Sequence, residues 1–354
     1  MLLDRLLMLC CTRFGEARTV SAAFHLLKGR KSIQTVQDSH IYKLKNYYGI
    51  YKTLKKQDFH QRLEVLFKEQ VLERVNDSSA VAGLHYQKWL EETNDYKLPA
   101  EYFNGIRYYN IAQHFWDRLT LFVQTLTNSF NGNLQFIPVS ENSTATEWMR
   151  VKYQEIKSNE AAYLQILHDE LETIFRYLND REASIIVDSL TGYKLHGMSS
   201  FQLAEQHNLK RLDVPLILTA VIHQLLFLIE QKKQEFPIIA SMLDDMPVDS
   251  RLTNSAKKTN QLLYQHRSVE EIAAIRQLRL NTIYDHLVEI ALYDKQFSVD
   301  DFVNKQHQKE ITSALDTVAS NKLKDIKAQV NEDISYFEIR LVLAAENPII
   351  VGEE

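Results

Sequence analysis

Residues that make tight turns are scarce in this chain, and this scarcity constrains its fold more than any other feature. Among 354 residues there are nine glycines and six prolines, although 45% of the residues are hydrophobic. A β-sandwich or barrel needs many short hairpins, whose turns depend largely on Gly, Pro and small polar residues. The remaining composition is that of an ordinary globular protein. We therefore predict an all-α, multi-domain helical protein.

Two polar stretches divide the chain into three helical parts. Residues 129–147 collect Asn, Gly, Ser, Thr and Pro and predict a long loop, and residues 244–255 form a second polar stretch. We therefore predict a basic helical N-terminal domain at residues 1–128, the loop at 129–147, a helical middle domain at 148–245 and a C-terminal domain at 246–354.

The ends of several helices follow from capping residues and apolar spacing. Thr19 can cap a helix that Gly29 ends, and Ser32 can begin the next one. Apolar spacing predicts further helices at 58–76, 78–92, 99–128, 149–179, 180–191 and 216–233. The last of these contains His223 and is shorter than the roughly 20 apolar residues of a membrane-spanning helix. We predict that it is a buried core helix and that the protein does not contact a membrane.

Aromatic residues are dense in the helix predicted at 99–128. Proteins that bind single-stranded nucleic acids stack bases on such side chains. Only Arg107 and Arg118 accompany these aromatic residues in sequence, however. We therefore assign them to the hydrophobic core.

Basic residues are concentrated near the N-terminus of an otherwise acidic chain. The net charge is −5, yet from Met1 to Val75 there are 14 Lys and Arg against seven Asp and Glu. Such a concentration can contact phosphates, and it is also typical of a solvated helix surface. The candidate nucleic-acid contacts in this segment are Lys28, Arg30, Lys31, Lys43, Lys45, Lys55 and Lys56.

The sequence SVEEIAAIRQLRLNTIYDHLVEIA, at residues 268–291, has the pattern of a helix-turn-helix unit. Ser268 followed by Glu271 predicts a capping box for the first helix. Ala273 leaves room for a close crossing of the two helices. The second helix has apolar residues on one stripe at Ile283, Leu287 and Ile290.

The second helix of a DNA-binding unit of this kind enters the major groove with its outward side chains. The predicted outward positions are Asn281, Thr282, Tyr284, Asp285, His286 and Glu289. Acidic side chains at two of them repel phosphate, and Gln277 stands where glycine is common in the turn, so duplex binding and a protein-docking role both remain open. The candidate nucleic-acid contacts of this domain are Lys257, Lys258, Arg276, Arg279, Asn281 and Thr282.

Both ends of the chain resemble known families. The run from Thr253 through the helix-turn-helix unit, with ISYFEIRLVLAA at residues 334–345, resembles the helicase-type helix-turn-helix domain at the C-terminus of some bacterial RecQ-like helicases. RTVSAAFHLLKGRKSIQTVQDSHIYKL, at residues 18–44, is similar to the opening of the YpbB family of Firmicutes, whose members carry that C-terminal domain without a helicase motor. The resemblance implies a cytoplasmic accessory protein of DNA maintenance that partners a RecQ-like helicase and has no catalytic residues.

The sequence contains no familiar catalytic motif. It lacks a Walker lysine loop and the H-E-x-x-H, C-x-x-C and G-x-S-x-G motifs, and the adjacent Cys10 and Cys11 cannot make a zinc site or a disulfide framework. We expect a protein that is not an enzyme, with no cofactor and no metal, in the reducing cytoplasm. We predict an accessory or adaptor protein for a RecQ-like DNA helicase in DNA repair or replication, which can also bind DNA directly. The alternatives are a helix-turn-helix transcription regulator and a protein scaffold without nucleic-acid contact.

Overall fold

A computed structural model describes residues 1–76, 78–93, 102–246, 252–294, 296–318 and 323–346. Within these residues the chain is helical apart from one small hairpin, which confirms the all-α prediction. In chain order the helices are α1 (Leu2–Phe14), α2 (Val20–Lys28), α3 (Ile33–Ile41), α4 (Lys56–Lys68), α5 (Tyr86–Glu92), α6 (Gly105–Tyr108), α7 (Ala112–Phe130), α8 (Ser143–Ile156), α9 (Glu160–Phe175), α10 (Asp180–Ser189), α11 (Ser200–Gln206), α12 (Val214–Gln231), α13 (Pro237–Ser241), α14 (Asn254–Tyr264), α15 (Val269–Arg276), α16 (Leu280–Tyr293), α17 (Lys305–Thr317), α18 (Leu323–Lys327) and α19 (Tyr336–Glu346). The hairpin pairs β1 (Leu72–Arg74) with β2 (Ala80–Ala82) in antiparallel register.

The larger hydrophobic core extends from α1 to α13. Side chains from both sides of the loop after α7 pack in it together, among them Phe115, Ile174 and Leu225. Helix α12 is long and apolar enough to cross a membrane by length and composition, but 61% of that window is buried inside the fold. It lies in the middle of this core, where the sequence predicts a buried helix.

A smaller core belongs to the C-terminal helices α14 to α19. Its fully buried side chains include Leu287 and Ile290 of α16 and Ile339 of α19. Helix α3, from the N-terminal part of the chain, packs against this core through Ile33 and Val36. The basic N-terminal segment and the C-terminal domain are therefore neighbours.

The prediction of helices at 58–76 and 78–92 is wrong at the hairpin, because residues 72–74 and 80–82 form β-strands. Helix α4 is followed by Gln70 with a left-handed φ of +55°, which turns the chain away from the helix. The side-chain oxygen of Asn76 accepts hydrogen bonds from the backbone N–H groups of Ser78 (2.8 Å) and Ser79 (3.0 Å). Asn residues often close turns in this way, and here the turn brings the two strands together. The pattern of apolar residues alone could not distinguish this hairpin from two helices.

Two other predicted helices are each divided in two. Residues 99–101 of the helix predicted at 99–128 lie outside the described residues, and the remainder forms α6 and α7, separated near Tyr109. The helix predicted at 149–179 becomes α8 and α9, with a break before Glu160, whose carboxylate accepts a hydrogen bond from Tyr153 Oη (2.6 Å).

The connection between α7 and α8 spans residues 131–142 rather than 129–147, because both neighbouring helices extend into the predicted loop. The buried Gln124 holds this connection, since its amide donates to Ile137 O (3.0 Å) and accepts from Val139 N (2.8 Å). Of the second polar stretch, residues 247–251 lie outside the described residues.

Candidate nucleic-acid interface

Helices α15 and α16 form the predicted helix-turn-helix unit. Ser268 Oγ accepts a hydrogen bond from Glu271 N (3.2 Å), and the Glu271 carboxylate accepts one from Ser268 N (2.9 Å), so the capping box is confirmed. Ile272 and Ile283 are fully buried. Gln277 ends α15 in the left-handed conformation, with φ at +52° and ψ at +42°. The turn therefore has the geometry that glycine usually supplies, although its residue is glutamine.

Replacing Gln277 with glycine should stabilise the protein. A left-handed φ costs a residue with a Cβ atom about 1 kcal/mol relative to glycine, and the Gln277 side chain is exposed. We expect Gln277→Gly to raise the free energy of unfolding by about 0.5–1 kcal/mol, measured by urea denaturation. Gln277→Ala is the matched control, because alanine keeps the strained Cβ; an equal gain in both variants would contradict this explanation.

Two residues predicted to face outward on α16 are buried instead. Glu289 Oε2 accepts a hydrogen bond from Thr253 Oγ1 (3.1 Å), and His286 Nδ1 lies 2.9 Å from Thr259 Oγ1. Burial raises the pKa of Glu289 and lowers that of His286. The prediction that these side chains point outward is wrong, because α14 packs along this side of α16.

Two further outward positions of α16 have partners within the protein. Tyr284 stacks on Phe337 of α19, with ring centroids 4.1 Å apart and an interplanar angle of 22°. The Asp285 carboxylate accepts a hydrogen bond from Arg340 (2.7 Å). The surface that α16 offers to a major groove is thus reduced to its first turn.

Most of the candidate contacts in the C-terminal domain are accessible. Those at least partly exposed are Lys257, Lys258, Arg279, Asn281 and Thr282. Arg276 has a structural role, since its guanidinium donates to Ser255 O (2.7 Å) and Ser255 Oγ (2.9 Å) and so ties α15 to α14. Its charge is committed to these bonds within the domain.

The candidate contacts of the N-terminal segment are gathered mainly at one corner, where α2, α3 and the start of α4 meet. Lys28 Nζ donates to Leu54 O (3.3 Å), which brings the end of α2 beside the start of α4. Burial, with the positive charges of Arg30 and Lys56, lowers the pKa of His25, so both cations lie near this ring. We call the group the α2–α3 corner; its basic residues are Lys28, Arg30, Lys31, Lys52, Lys55 and Lys56.

Lys43 and Lys45 lie apart from this corner. They follow α3, whose nine residues separate them from Lys31 by about 14 Å. Asp38, the one acid between Lys28 and Lys56, accepts two hydrogen bonds from Arg18, at 2.7 and 2.8 Å. Among the described residues, no carboxylate forms a salt bridge with any of the seven candidate Lys and Arg residues of the N-terminal segment. The positive charges of these side chains are therefore available to a ligand.

Helix α3 connects the α2–α3 corner to the helix-turn-helix domain. The Gln37 amide donates to Arg340 O (3.1 Å) and accepts from Arg340 Nε (3.0 Å). Sequence reasoning missed this contact because the two residues are 303 positions apart, and helical spacing does not show which helices become neighbours. Helix α3, which begins beside the α2–α3 corner, is therefore hydrogen-bonded to the C-terminal domain.

One group of side chains in the described part of the chain has the spacing of metal ligands. His168, Asp169 and Glu172 lie together on α9, and all three are exposed. Asp169 also accepts a hydrogen bond from Gln165, and Glu172 pairs with Arg176. Such exposed groups are common without an ion, and this one lies outside the candidate interface.

Comparison with known proteins agrees with the resemblance at the two ends of the chain. Residues 255–343 match the family model of a helix-turn-helix domain. The chain is 29% identical over 345 residues to protein YpbB of Bacillus subtilis (strain 168), and the match covers 97% of each chain. No solved structure gives a significant match. The resemblance to the YpbB family is thus confirmed over nearly the whole sequence, and together with the helix-turn-helix domain it favours a DNA-related role.

Proposed function

We propose that this relative of YpbB, with its C-terminal helix-turn-helix domain, is a non-catalytic accessory protein of a RecQ-like DNA helicase, acting in DNA repair or replication in the cytoplasm. The observation that carries the proposal is the packing of α3 on the helix-turn-helix domain through Gln37 and Arg340. This packing places basic side chains without salt-bridge partners beside the helix-turn-helix domain. Some RecQ-like helicases, the proposed partners, carry a domain of the same type. A protein built in this way can contact DNA phosphates and a helicase at the same time.

The burial of most side chains of α16, the second helix of the helix-turn-helix unit, favours an accessory protein over a transcription regulator. A regulator reads base edges with several side chains of its second helix. Here His286 and Glu289 are buried and Tyr284 is stacked on Phe337, so few side chains are free to read bases. The exposed basic side chains around α16 are more suited to contacts with DNA phosphates. Such contacts position a protein on DNA without specifying a sequence.

Exposed apolar side chains on the helix-turn-helix domain offer a surface for the helicase. Ile275 of α15 is 56% exposed and Tyr264 of α14 is 60% exposed. Apolar and aromatic side chains at the centre of an interface commonly carry much of its binding energy. We therefore assign helicase docking to α14 and α15, which carry these exposed side chains.

A charge placed on α15 should disrupt the complex with the helicase. We expect purified protein and the RecQ-like helicase of the same organism to form a complex in sedimentation velocity, and Ile275→Glu to weaken it at least about tenfold, because a carboxylate would be buried without a partner. Val151→Glu is the matched control, since Val151 is 57% exposed on α8, far from this domain in sequence. Absence of any complex, or equal weakening by both variants, would contradict the assigned role.

A further inference from the structure

Two cavities meet at Tyr109, between the α2–α3 corner and the helices that follow it. The first has a volume of about 470 Å³ and is lined by residues of both the N-terminal part and the C-terminal domain, among them Lys31, Arg107 and Asn254. The second has a volume of about 230 Å³ and is lined by Lys52, Trp116 and His223 among others. Tyr109 borders both cavities. We call the two cavities together the Tyr109 groove.

The aromatic residues of α6 and α7 divide into two groups in the structure. Phe115 and Phe122 are fully buried, as the sequence predicts for core residues. Tyr109 and Trp116 are half-buried and line the groove, and Trp116 also packs against the larger core. The Trp116 ring offers a flat apolar surface to a ligand, whereas Lys52 lies over the Tyr109 ring. The prediction that the aromatic residues of this stretch serve the core holds for only part of them.

Few basic residues lie close to Tyr109 in the sequence. The positive charges beside its ring come from Lys31 and Lys52, in another part of the chain. Lys31 Nζ and Lys52 Nζ lie 5.6 and 4.1 Å from the centroid of the Tyr109 ring. No carboxylate pairs with either lysine among the described residues. Burial and the nearby charge of Lys31 lower the pKa of Lys52. Lys52 Nζ donates to Tyr109 O (2.6 Å), and Glu289, which also lines the first cavity, bonds to Thr253 rather than to either lysine. Two cations held close together without a paired carboxylate form a site that an anion would stabilise.

His223 adds a hydrogen-bond donor inside the second cavity. It is 3% exposed, and its Nδ1 accepts a hydrogen bond from Asn104 N (3.1 Å). Burial lowers its pKa to about 3, so the ring is neutral at pH 7 and carries its proton on Nε2. In the described part of the protein no group accepts from this Nε2. A ligand in the cavity with a carbonyl oxygen could do so.

We propose that the Tyr109 groove binds an unpaired stretch of DNA, with a base against Trp116, the His223 Nε2–H group donating to a base carbonyl, and phosphates near Lys31 and Lys52 beside Tyr109. Aromatic surfaces combined with a basic groove are the usual means of binding single strands. Duplex DNA is excluded as the occupant, because its bases are stacked on each other and cannot enter a cavity of this size without being extruded. The inference rests on the DNA-related role proposed above and gives that role a substrate: the single-stranded arm of a fork.

Binding of a labelled 12-nucleotide oligo(dT) to the full-length protein, followed by fluorescence anisotropy over a salt series, tests the proposal. We expect Lys31→Ala combined with Lys52→Ala to weaken binding at least about tenfold and to reduce the slope of log K against log salt by about 1.4, because each lost phosphate contact on a single strand removes about 0.7. The matched control combines Lys68→Ala with Lys210→Ala, which removes two exposed charges that do not line the groove. This control should stay within about twofold of the unmodified protein.

A second measurement does not depend on charge. Trp116→Phe keeps an aromatic side chain in the groove, and the chain has only two other tryptophans, Trp89 and Trp148. We expect oligo(dT) to quench the intrinsic fluorescence of the unmodified protein and to quench that of the variant much less. Equal loss of affinity in both lysine pairs, or quenching that persists in Trp116→Phe, would overturn the groove proposal.

The test separates failure of the groove from failure of the proposed function. A protein that forms the helicase complex and binds forks but not oligo(dT) would refute the groove alone. A protein that binds neither the helicase nor any DNA would refute the accessory role, and the groove proposal with it.

Discussion

Replacing Gly49 with alanine should lower the free energy of unfolding by about 2–5 kcal/mol and weaken binding at the Tyr109 groove. Gly49 has a left-handed φ of +69°, and a Cβ atom built on it would lie 2.4 and 2.5 Å from two carbons of the Tyr109 ring. The backbone conformation costs a non-glycine residue about 1–2 kcal/mol, and forcing a methyl group into a packed site costs about 1–3 kcal/mol more. Relief of this contact would displace the Tyr109 ring, which borders both cavities of the groove. Urea denaturation and oligo(dT) anisotropy measure the two effects.

Gly132→Ala separates the two causes. Gly132 has a similar φ of +72°, but a Cβ atom there would meet nothing within 4 Å. We expect this control to lose only about 1–2 kcal/mol and to keep its affinity for oligo(dT). Equal destabilisation of both variants would mean that Tyr109 is not packed against Gly49.

Lowering the pH from 7 to 5 should cost about 2 kcal/mol of stability through His223 alone. Burial lowers the pKa of this histidine from 6.5 in the unfolded chain to about 3 in the folded protein. Below pH 6.5 the unfolded chain therefore takes up a proton that the folded protein does not bind, and the folded state loses about 1.4 kcal/mol per pH unit until about pH 3. The contribution is thus fully present above pH 6.5 and is lost as the pH falls.

The variant His223→Gln isolates this contribution. It removes the titrating group, while His286, whose pKa burial also lowers, remains in both proteins. We expect the stability difference between pH 7 and pH 5, measured by urea denaturation, to be about 2 kcal/mol smaller in the variant. An unchanged difference would show that His223 is not buried as a neutral ring.

Local signals in the sequence predicted local structure well. The capping box at Ser268 is present, Ser32 accepts a hydrogen bond from Thr35 N (3.3 Å) at the start of α3, and Gly29 ends α2 with a φ of +68°. Each of these depends on residues within a few positions of one another. The helix-turn-helix unit could be predicted for the same reason.

Features that depend on distant parts of the chain could not be predicted. The left-handed Gln70 ends α4 without a glycine to mark it, so two helices were predicted where the hairpin stands. The outward face of α16 was predicted from its own periodicity, but α14 and α19 cover much of it. The Tyr109 groove joins Lys31 and Lys52 to aromatic residues more than fifty positions away. Helical spacing contains no information on which helices become neighbours.

The central claim is that this protein acts on DNA together with a RecQ-like helicase. The most direct test is the affinity for a labelled forked DNA of the protein alone, the helicase alone and the two together, each over the same salt series. We expect the pair to bind the fork at least about tenfold more tightly than either protein alone, because each contributes contacts to the same DNA. An affinity of the mixture equal to that of the helicase alone at every salt concentration would contradict it.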